Sequence, residues 1–341
     1  MAIQTLGLDI GKSTFHAVGL DGSGAIVHRH RYTRAALMRF MANLPPCLVG
    51  MESCAGSQHL ARRFGEHGHT VKLMAPQFVK PYVKSNKSDY LDAEAIAEAV
   101  TRPTMRFVPV KTVAQQDLQA LHRVRSGLMA QRIAGINQLR AFLLENGITI
   151  PIGVIALGRE LPLILEDAEN GLSTRMRALV SDLWQEVKAL DRRIAALSAE
   201  LRQVAEADPA CRRLLTVPGI GPLTATALVA CIGDGREFRR GRELAAFLGL
   251  VPRQHSTGGK TTLLGISKRG NNYVRMLMVH GARAVVCHSD RRQDRLGTWL
   301  RELKIRRHTN VVVVALANKI ARTAWAVLAH GEDYRPAVGT N

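Results

Sequence analysis

Few aromatic residues, no paired cysteines and no long apolar run characterise this 341-residue sequence. Aromatic residues make up 5% of it, and none of its five cysteines stands in a C-x-x-C pair or near a histidine at zinc-site spacing. This argues against disulfides and zinc, and predicts reduced, mostly buried thiols in a cytoplasmic protein. A run of the ~20 apolar residues that a membrane span needs is missing, as is a basic amphipathic helix with aromatic anchors. We therefore expect neither a signal peptide nor a membrane partner.

Acidic residues are scarce relative to basic ones. The chain has 28 Asp and Glu against 47 Lys and Arg, which gives a formal net charge of +19. Most of the excess lies in residues 208–341, which carry 22 basic and 9 acidic residues. Such a surface repels itself unless a polyanion neutralises it, and nucleic acid is the commonest such partner. The length suggests two or three domains.

The first hundred residues predict strands and helices in the order βββαβαβα. Apolar runs end at Asp9 and Leu20, a hairpin signal follows at 21–24, and a later buried strand ends at Glu52. This order is typical of the RNase H and RuvC-like fold, and also of the actin and hexokinase ATPase fold. An ATPase of that kind needs a second phosphate hairpin and an adenosine loop, and neither is found. The predicted fold class is therefore an α/β RNase H/RuvC-like N-terminal domain.

Four acidic residues are expected to converge at one edge of this sheet. Asp9 ends the first strand and Glu52 ends the fourth, and these strands are neighbours in the predicted topology. Asp89 and Asp92 are three positions apart, on one face of a helix within its first turn. Acidic residues that follow an N-cap such as Ser88 are also common simply because they interact favourably with the helix dipole. For the isolated S-D-x-x-D stretch that explanation stays open.

A cluster of these four carboxylates would need protons or a divalent cation. Two carboxylates ~4 Å apart repel by about 4 kcal/mol at an effective dielectric near ~20, while a whole domain is stable by only ~5–15 kcal/mol. Oxygen ligands at a partly hydrated site favour Mg²⁺ or Mn²⁺ over zinc. Two such ions can activate a nucleophile and stabilise the leaving oxygen in phosphodiester chemistry. We therefore predict a Mg²⁺ site, with Mn²⁺ as the alternative ion, that acts on DNA phosphates.

The middle of the chain is predicted to be helical. One long helix runs from Thr112 to Asn146, and after a proline-containing loop from Ile150 to about Pro162 a second helix covers residues 172–207. Apolar residues of the second helix recur at alternating steps of four and three, which is the seam of a coiled coil. The seam consists of Met176, Val180, Leu183, Val187, Leu190, Ile194, Leu197, Leu201 and Val204. Its partner is either the first helix of the same chain or another subunit of a dimer or tetramer.

Residues 208–341 contain two predicted phosphate-binding elements. Gly219 and Gly221 lie between two apolar helical stretches and fit the turn of a helix-hairpin-helix. The stretch 250–277 combines cations and hydroxyls with glycines, which suits close approach to a phosphate backbone. Its predicted nucleic-acid contacts are Arg253, Lys260, Lys268, Arg269, Asn271 and Arg275. On composition alone, a basic loop that only grips nucleic acid is the favoured explanation, because nothing in Ser256 alone marks a nucleophile.

Five segments together resemble one protein family. They are LGLDIGKSTFHAVGLD, GMESCAGSQHLA, KSDYLDAEAIAEA, VPGIGPLTATAL and GLVPRQHSTGGKTTLLGISKRGNNYVR. In this order they are similar to the DEDD transposases of bacterial insertion sequences, which are related to the Piv-type DNA invertases. The resemblance covers nearly the whole chain, and K-S-D-x-x-D-A and H-S-T-G-G-K with S-K-R-G-N are its specific motifs.

The resemblance implies a fold, a mechanism and partners. Asp9, Glu52, Asp89 and Asp92 match the four acids of a RuvC-like domain that uses Mg²⁺, and Ser256 matches a serine that attacks a DNA phosphodiester and forms a transient phosphoserine link. Family members act as recombinases in assemblies of several subunits. A structured bridge RNA guides them by pairing with donor and target DNA.

The implied domains follow the same order along the chain. They are a RuvC-like catalytic domain at 1–110, a coiled-coil domain at 111–207, a mainly α-helical transposase domain with the serine at 208–335 and a tail at 336–341.

Two other functions stay open on the sequence alone. A junction resolvase or nuclease of the same fold would use water as its nucleophile, with Ser256 only contacting phosphate. A non-enzymatic protein would bridge nucleic acids through its coiled coil and basic region, with structural acids. Also open are whether Ser256 acts in cis or in trans with the acids and which group deprotonates it.

Overall fold

The computed structural model describes residues 2–84 and 88–336. It divides into two compact units, Met1–Val113 and Ala114–Asn341. The finer division of the second part into a coiled-coil domain and a transposase domain stays a prediction. Of the predicted tail, residues 337–341 lie outside the described residues.

The first unit is built on a six-stranded mixed sheet in the order β3-β2-β1-β4-β5-β6. The strands are β1 Thr5–Ile10, β2 Thr14–Leu20, β3 Ile26–Thr33, β4 Leu48–Glu52, β5 Thr70–Met74 and β6 Phe107–Val108. β1, β4 and β5 run parallel, while β2, β3 and β6 pair antiparallel with their neighbours. Such a mixed sheet is compatible with the RNase H-like fold that the sequence predicts.

Helices cover the sheet of the first unit. They are α1 Arg34–Asn43, α2 Ser57–Glu66, the short α3 Pro76–Val79 and α4 Asp89–Val100. The predicted order βββαβαβα is confirmed, with α3 and β6 in addition. The hairpin signal at 21–24 works through Asp21, whose Oδ1 accepts hydrogen bonds from the backbone N–H of Ser23 (2.9 Å) and Ala25 (3.0 Å). Gly24 supplies the positive φ of 85° that this turn needs.

Two long helices of the second unit lie side by side. They are α5 Val113–Glu145 and α7 Thr174–Ala207. Arg132 pairs with Asp191, and Arg125 donates to Ser198 at 2.8 Å, so the two helices run antiparallel within one chain. The nine seam residues predicted for the second helix are all buried or half-buried. The chain therefore supplies a partner for this seam itself, whereas assembly with another subunit stays a prediction.

The prediction of a loop from Ile150 to about Pro162 is wrong for most of that range. The helix α6, Val154–Glu166, occupies it, and Pro162 lies inside the helix. Leu157 and Leu161 are fully buried against apolar residues of α5 and α7. Their burial, worth about 1.5–3 kcal/mol for each side chain, compensates for the backbone hydrogen bond that the proline removes.

The other helices of the second unit pack around one apolar core. They are α8 Pro209–Leu215, α9 Pro222–Ile232, α10 Gly241–Phe247, α11 Asn272–Cys287, α12 Arg295–Arg306 and α13 Thr309–His330. By length and composition α13 could cross a membrane, so the expectation that no such apolar run exists is wrong. Half of the most apolar stretch of α13 is buried inside the protein, and the core helix of a folded unit can have the same length and composition.

A two-stranded antiparallel hairpin projects from the second unit. It consists of β7 Pro252–Thr257 and β8 Lys260–Ile266, and nearly all of its residues are exposed. Gly258 and Gly259 form its turn at φ 54° and 77°. The sequence predicts only a polar, glycine-rich stretch here, because no apolar alternation marks an exposed hairpin.

Candidate acidic active site and nucleic-acid interface

Asp9 and Glu52 lie at the same edge of the sheet. Leu8 of β1 pairs with Met51 of the parallel β4, so the residue that follows each of them stands at corresponding positions. Both carboxylate side chains are half-buried. The carboxyl ends of parallel strands meet at one edge, which is the reason the sequence could place these two acids together.

The other two acids are brought to this edge by close packing of α4 on β1. Gly7 of β1 approaches α4 so closely that a Cβ atom on it would lie 2.1 Å from the carbonyl oxygen of Ala93 and 2.5 Å from the backbone nitrogen of Ala97. Asp89 and Asp92 occupy the first turn of α4. Ser88 stands at the N-cap, but its side chain makes no capping hydrogen bond.

The charges of the four acids act on one another. Burial raises the pKa of Asp9, and the charges of Asp89 and Asp92 raise it further, with His16 opposing them. Burial likewise raises the pKa of Glu52, followed by the charges of Asp9 and Asp92. Asp9 and Glu52 therefore hold their protons more tightly than isolated acids do, and the charges of the neighbouring acids contribute to this.

His16 joins this cluster, although no motif in the sequence marks it as a site residue. It is the cross-strand partner of Asp9 in the β1–β2 pair. Its Nδ1 lies 3.5 Å from Oδ2 of Asp89, with 12% of the His16 side chain exposed against 57% for Asp89. The edge of the Tyr90 ring packs against the imidazole, with centroids 4.9 Å apart. The signal that could have found it is the strand register, since a hairpin through the turn at 11–13 sets His16 opposite Asp9.

The residues present suit a divalent cation. Asp9, His16 and Asp89 each offer a ligand atom, and these atoms lie within 4.8 Å of one another. Carboxylate oxygens are the donors that Mg²⁺ prefers, while a single imidazole nitrogen also suits Mn²⁺. Burial, followed by the charges of the neighbouring acids, raises the pKa of Asp9 and Glu52, so both carboxylates are destabilised in their charged form. A cation bound there would stabilise that form.

Ser256 lies on β7 of the second unit, and none of the four acids belongs to that unit. Its side chain is exposed. The Oγ atom accepts a hydrogen bond from the Gln254 amide at 2.7 Å and donates to the Thr261 hydroxyl at 3.4 Å. His255, its neighbour in the strand, points to the other face of the hairpin.

Comparison with known proteins bears on both sets of residues. A transposase family model for DEDD-type IS110 enzymes matches residues 6–147. The model described as the transposase IS116/IS110/IS902 family matches residues 211–296. The first range contains the four acids and the second contains Ser256.

Relatives are similar over almost their entire length. A probable family 20 transposase of Pseudomonas aeruginosa is 47% identical over 337 residues, which are 98% of this chain and 100% of the relative. The transposase for insertion sequence element IS1111A of Coxiella burnetii is 46% identical over 98% of this chain and 92% of its own length. This chain belongs to the IS110 family of DEDD transposases. It is an insertion-sequence transposase, and DNA is its partner.

The hairpin of this IS110-family transposase carries or adjoins four of the predicted nucleic-acid contacts. Arg253, Lys260, Lys268 and Arg269 all have exposed side chains. Lys268 adopts a φ of 55°, in the left-handed region that favours glycine. Its backbone N–H donates to the Gly249 carbonyl oxygen at 3.2 Å, which ties the end of the hairpin to the turn that follows α10.

Two of the predicted contacts, Arg275 and Asn271, make hydrogen bonds within the fold of the transposase. Arg275 is only 8% exposed, and its guanidinium donates to the carbonyl oxygens of Leu248 and Arg269, at 2.9 Å each. Asn271 caps α11, its side chain accepting from the Val274 N–H at 3.1 Å. A nucleic-acid contact by Arg275 or Asn271 stays a prediction, since the hydrogen bonds described for both side chains are made inside the fold.

The predicted helix-hairpin-helix turn is also packed internally on one side. Gly219 has a φ of 89°, and a Cβ atom on it would lie 3.1 Å from the carbonyl oxygen of Gly281 in α11. Gly221, in contrast, is exposed at the N-cap of α9. The turn therefore serves first to dock α9 against α11, and phosphate binding by Gly219 and Gly221 stays a prediction.

Proposed function

We propose that the transposase exchanges DNA strands with the cluster of Asp9, Glu52, Asp89 and Asp92 as its metal site and Ser256 as its nucleophile. The observation that carries this proposal is the convergence of four carboxylates from three separate segments at one sheet edge, where burial and then like charges raise the pKa of Asp9 and Glu52. A structural role for these acids would leave that mutual repulsion without a benefit.

The proposed metal is Mg²⁺, with Mn²⁺ as the alternative ion. When bound, it supplies charge stabilisation for the phosphodiester and its leaving oxygen. Asp9 and Glu52 provide carboxylates from the rigid sheet, and Asp89 and Asp92 provide theirs from the first turn of α4. His16 contacts Asp89, the more exposed of the pair, and offers its imidazole nitrogen as a further ligand atom at the same site.

Ser256 performs the covalent step. Its Oγ attacks the phosphorus of a DNA phosphodiester, the O–P bond to serine forms, and the bond to a deoxyribose oxygen breaks. The serine proton passes to a base outside the pair Gln254 and Thr261, since neither an amide nor a hydroxyl is basic. Attack by a second deoxyribose hydroxyl on the phosphoserine then restores the serine and joins the new strand.

We further propose that a structured bridge RNA guides this exchange in an assembly of several subunits, as the family resemblance implies. Residues 208–341 contain 22 basic and 9 acidic residues. This excess of positive charge supports binding of a polyanion in addition to the DNA that is cleaved. Sequencing the RNA that copurifies with the full-length chain tests this part. RNA from the element itself is the expected result, and only bulk cellular RNA would contradict it.

A trapped covalent adduct tests the nucleophile. The full-length chain is incubated with Mg²⁺, RNA copurified from the host cell and junction DNA of the element, then denatured, and protein bound to labelled DNA is measured. We expect an adduct that Ser256→Ala abolishes and that the control Ser267→Ala retains. Cleavage that persists without adduct in Ser256→Ala would favour the nuclease alternative. Cleavage by the wild type that does not exceed that of Asp89→Asn with Asp92→Asn or of a sample without protein would leave the non-enzymatic alternative.

A further inference from the structure

A concave basic surface lies on the second unit between the start of α10 and the middle of α13. Its volume is about 470 Å³. We call it the α10–α13 pocket. The residues that line it are Arg240, Gly241, Arg242, Lys319, Arg322, Thr323, Trp325 and Ala326. No carboxylate is among them, and none of these residues is among the nucleic-acid contacts that the sequence predicts.

The fold builds this pocket through one close approach. A Cβ atom on Gly241 would lie 2.9 Å from both the Cα and the carbonyl oxygen of Arg322. Glycine at this position therefore lets the chain that carries Arg240 and Arg242 touch the backbone of α13. Lys319 and Arg322 are three residues apart on α13 and share one face of that helix.

An aromatic ring is held at the edge of the pocket. The indole N–H of Trp325 donates to the carbonyl oxygen of Phe238 at 3.0 Å. This bond fixes the orientation of the half-buried ring. A fixed aromatic face beside cations is the arrangement on which unpaired bases stack.

The cations of the pocket have little compensation within the protein. Arg240 has a carboxylate near it, Glu243 at 3.6 Å, and both side chains are exposed, so this pair contributes little. Lys319 lies over the ring of Trp299 at 5.1 Å, a contact that does not neutralise its charge. Within residues 2–84 and 88–336, neither Arg242 nor Arg322 forms an ion pair.

We infer that the α10–α13 pocket binds the phosphate backbone of a nucleic acid, as an anchoring site additional to the β7–β8 hairpin. Planar guanidinium groups bind phosphate oxygens in pairs, and three of the four cations are arginines. A pocket of this volume holds a phosphodiester with its sugar, and the adjacent Trp325 gives a base a surface to stack on. The inference rests on the proposed function, since it names a further contact for the same polyanions.

Salt-dependent binding of defined nucleic acids tests the pocket. Affinity of the full-length chain is measured at several salt concentrations for a 30-base-pair DNA duplex and for a structured RNA of similar length. The test variant is Arg242→Gln with Arg322→Gln. The control is Arg193→Gln with Arg202→Gln, which removes two exposed arginines of α7 and the same net charge. Arg242→Lys with Arg322→Lys retains the charge in place.

The slope of log affinity against log salt is expected to fall by about 2 in the test variant on at least one nucleic acid, because each neutralised phosphate contributes ~0.9. The control and the lysine variant should keep the wild-type slope within about half a unit on this scale. A reduced slope for the duplex alone assigns DNA to the pocket, and a reduced slope for the RNA alone assigns RNA. Either result supports the inference.

Two outcomes would overturn it, and they are distinguishable from failure of the proposed function. A wild-type slope in the test variant, or an equal loss in the control, means that the pocket makes no specific phosphate contact. If the wild-type chain itself binds neither nucleic acid with a salt-dependent affinity, the proposed function fails first.

Discussion

Gly7 in β1 and Ala93 in α4 touch so closely that any side chain on Gly7 would collide with the Ala93 carbonyl oxygen. This contact sets the distance between the sheet that carries Asp9 and the helix that carries Asp89 and Asp92. The acidic cluster is therefore a product of small residues in two elements as much as of the acids themselves.

Gly7→Ala is expected to destabilise the chain and weaken the acidic cluster. The added methyl group forces α4 away from β1, at a cost of about 1–3 kcal/mol for overpacking. Urea unfolding followed by circular dichroism measures the stability, and Mn²⁺ affinity reports on the cluster. Gly65→Ala is the control, because a Cβ atom there meets nothing within 4 Å. Equal loss in both variants would contradict the role given to this contact.

His16→Asn is expected to weaken Mn²⁺ binding more than Mg²⁺ binding. Imidazole nitrogen is a better ligand for Mn²⁺ than for Mg²⁺, so we expect about a tenfold loss for Mn²⁺ and a smaller one for Mg²⁺. Isothermal titration of the full-length chain with each metal measures the two affinities. His30→Asn, an exposed histidine of β3, is the control. Equal losses for the two metals in His16→Asn would assign His16 to positioning of Asp89 alone.

The stability of the second unit should rise between pH 4 and pH 6.5 because of His122. This buried imidazole lies 3.0 Å from both the Tyr273 hydroxyl and the Thr226 Oγ1, and burial lowers its pKa from 6.5 to about 4. The unfolded chain therefore binds a proton in this range that the folded chain does not. The contribution is complete above pH 6.5 and declines as the pH falls towards 4, by about 3 kcal/mol in total.

Tryptophan fluorescence during urea unfolding measures this effect, since all three tryptophans belong to the second unit. His122→Gln should lower the stability at neutral pH and flatten its rise from pH 4 to 6.5. The control His280→Gln, at an exposed position of α11, should follow the wild-type curve. A rise that His122→Gln leaves intact would exclude His122 as its source.

Substitutions of Arg275 and Arg269 are expected to have opposite effects on stability and on DNA binding. Arg275→Ala leaves the buried carbonyl oxygens of Leu248 and Arg269 without their donor, and should lower the free energy of unfolding by about 2–3 kcal/mol. Its effect on the salt dependence of DNA binding should be small. Arg269→Gln, with an exposed side chain, should leave stability unchanged and reduce the salt slope by about 1. A reduced salt slope in a stably folded Arg275→Ala would instead show that Arg275 contacts nucleic acid.

The sequence predicts well what depends on order and spacing. Asp9 and Glu52 follow apolar runs, and Asp89 and Asp92 lie three residues apart, so the topology of the first unit suffices to bring them to one edge. His16 depends on the pairing register of a hairpin, which the turn residues do not determine alone. Arg275 looks like its exposed neighbours in the sequence, because composition carries no information about which cation is buried.

Other differences between the sequence predictions and the structure also arise from tertiary packing. A proline such as Pro162 usually marks a helix boundary because it cannot donate a backbone hydrogen bond. In α6 the helix nevertheless continues past Pro162, because burial of Leu157 and Leu161 stabilises it. The hairpin of β7 and β8 is exposed on both faces, so it lacks the alternation by which strands are recognised. A valine-rich sequence such as the start of α13 occurs in strands, core helices and membrane spans alike. Here it forms a helix that packs into the apolar core of the second unit.

Metal binding and DNA cleavage measured on the same variants test the central claim most directly. Equilibrium dialysis with Mn²⁺ is combined with cleavage of junction DNA for the wild type, Asp9→Asn with Glu52→Gln, and the control Glu66→Gln, an exposed acid of the same unit. We predict that the double variant loses both the bound ion and cleavage, whereas the control retains both. A double variant that still binds Mn²⁺ like the wild type, or still cleaves DNA, would contradict the assignment of these acids as the metal site.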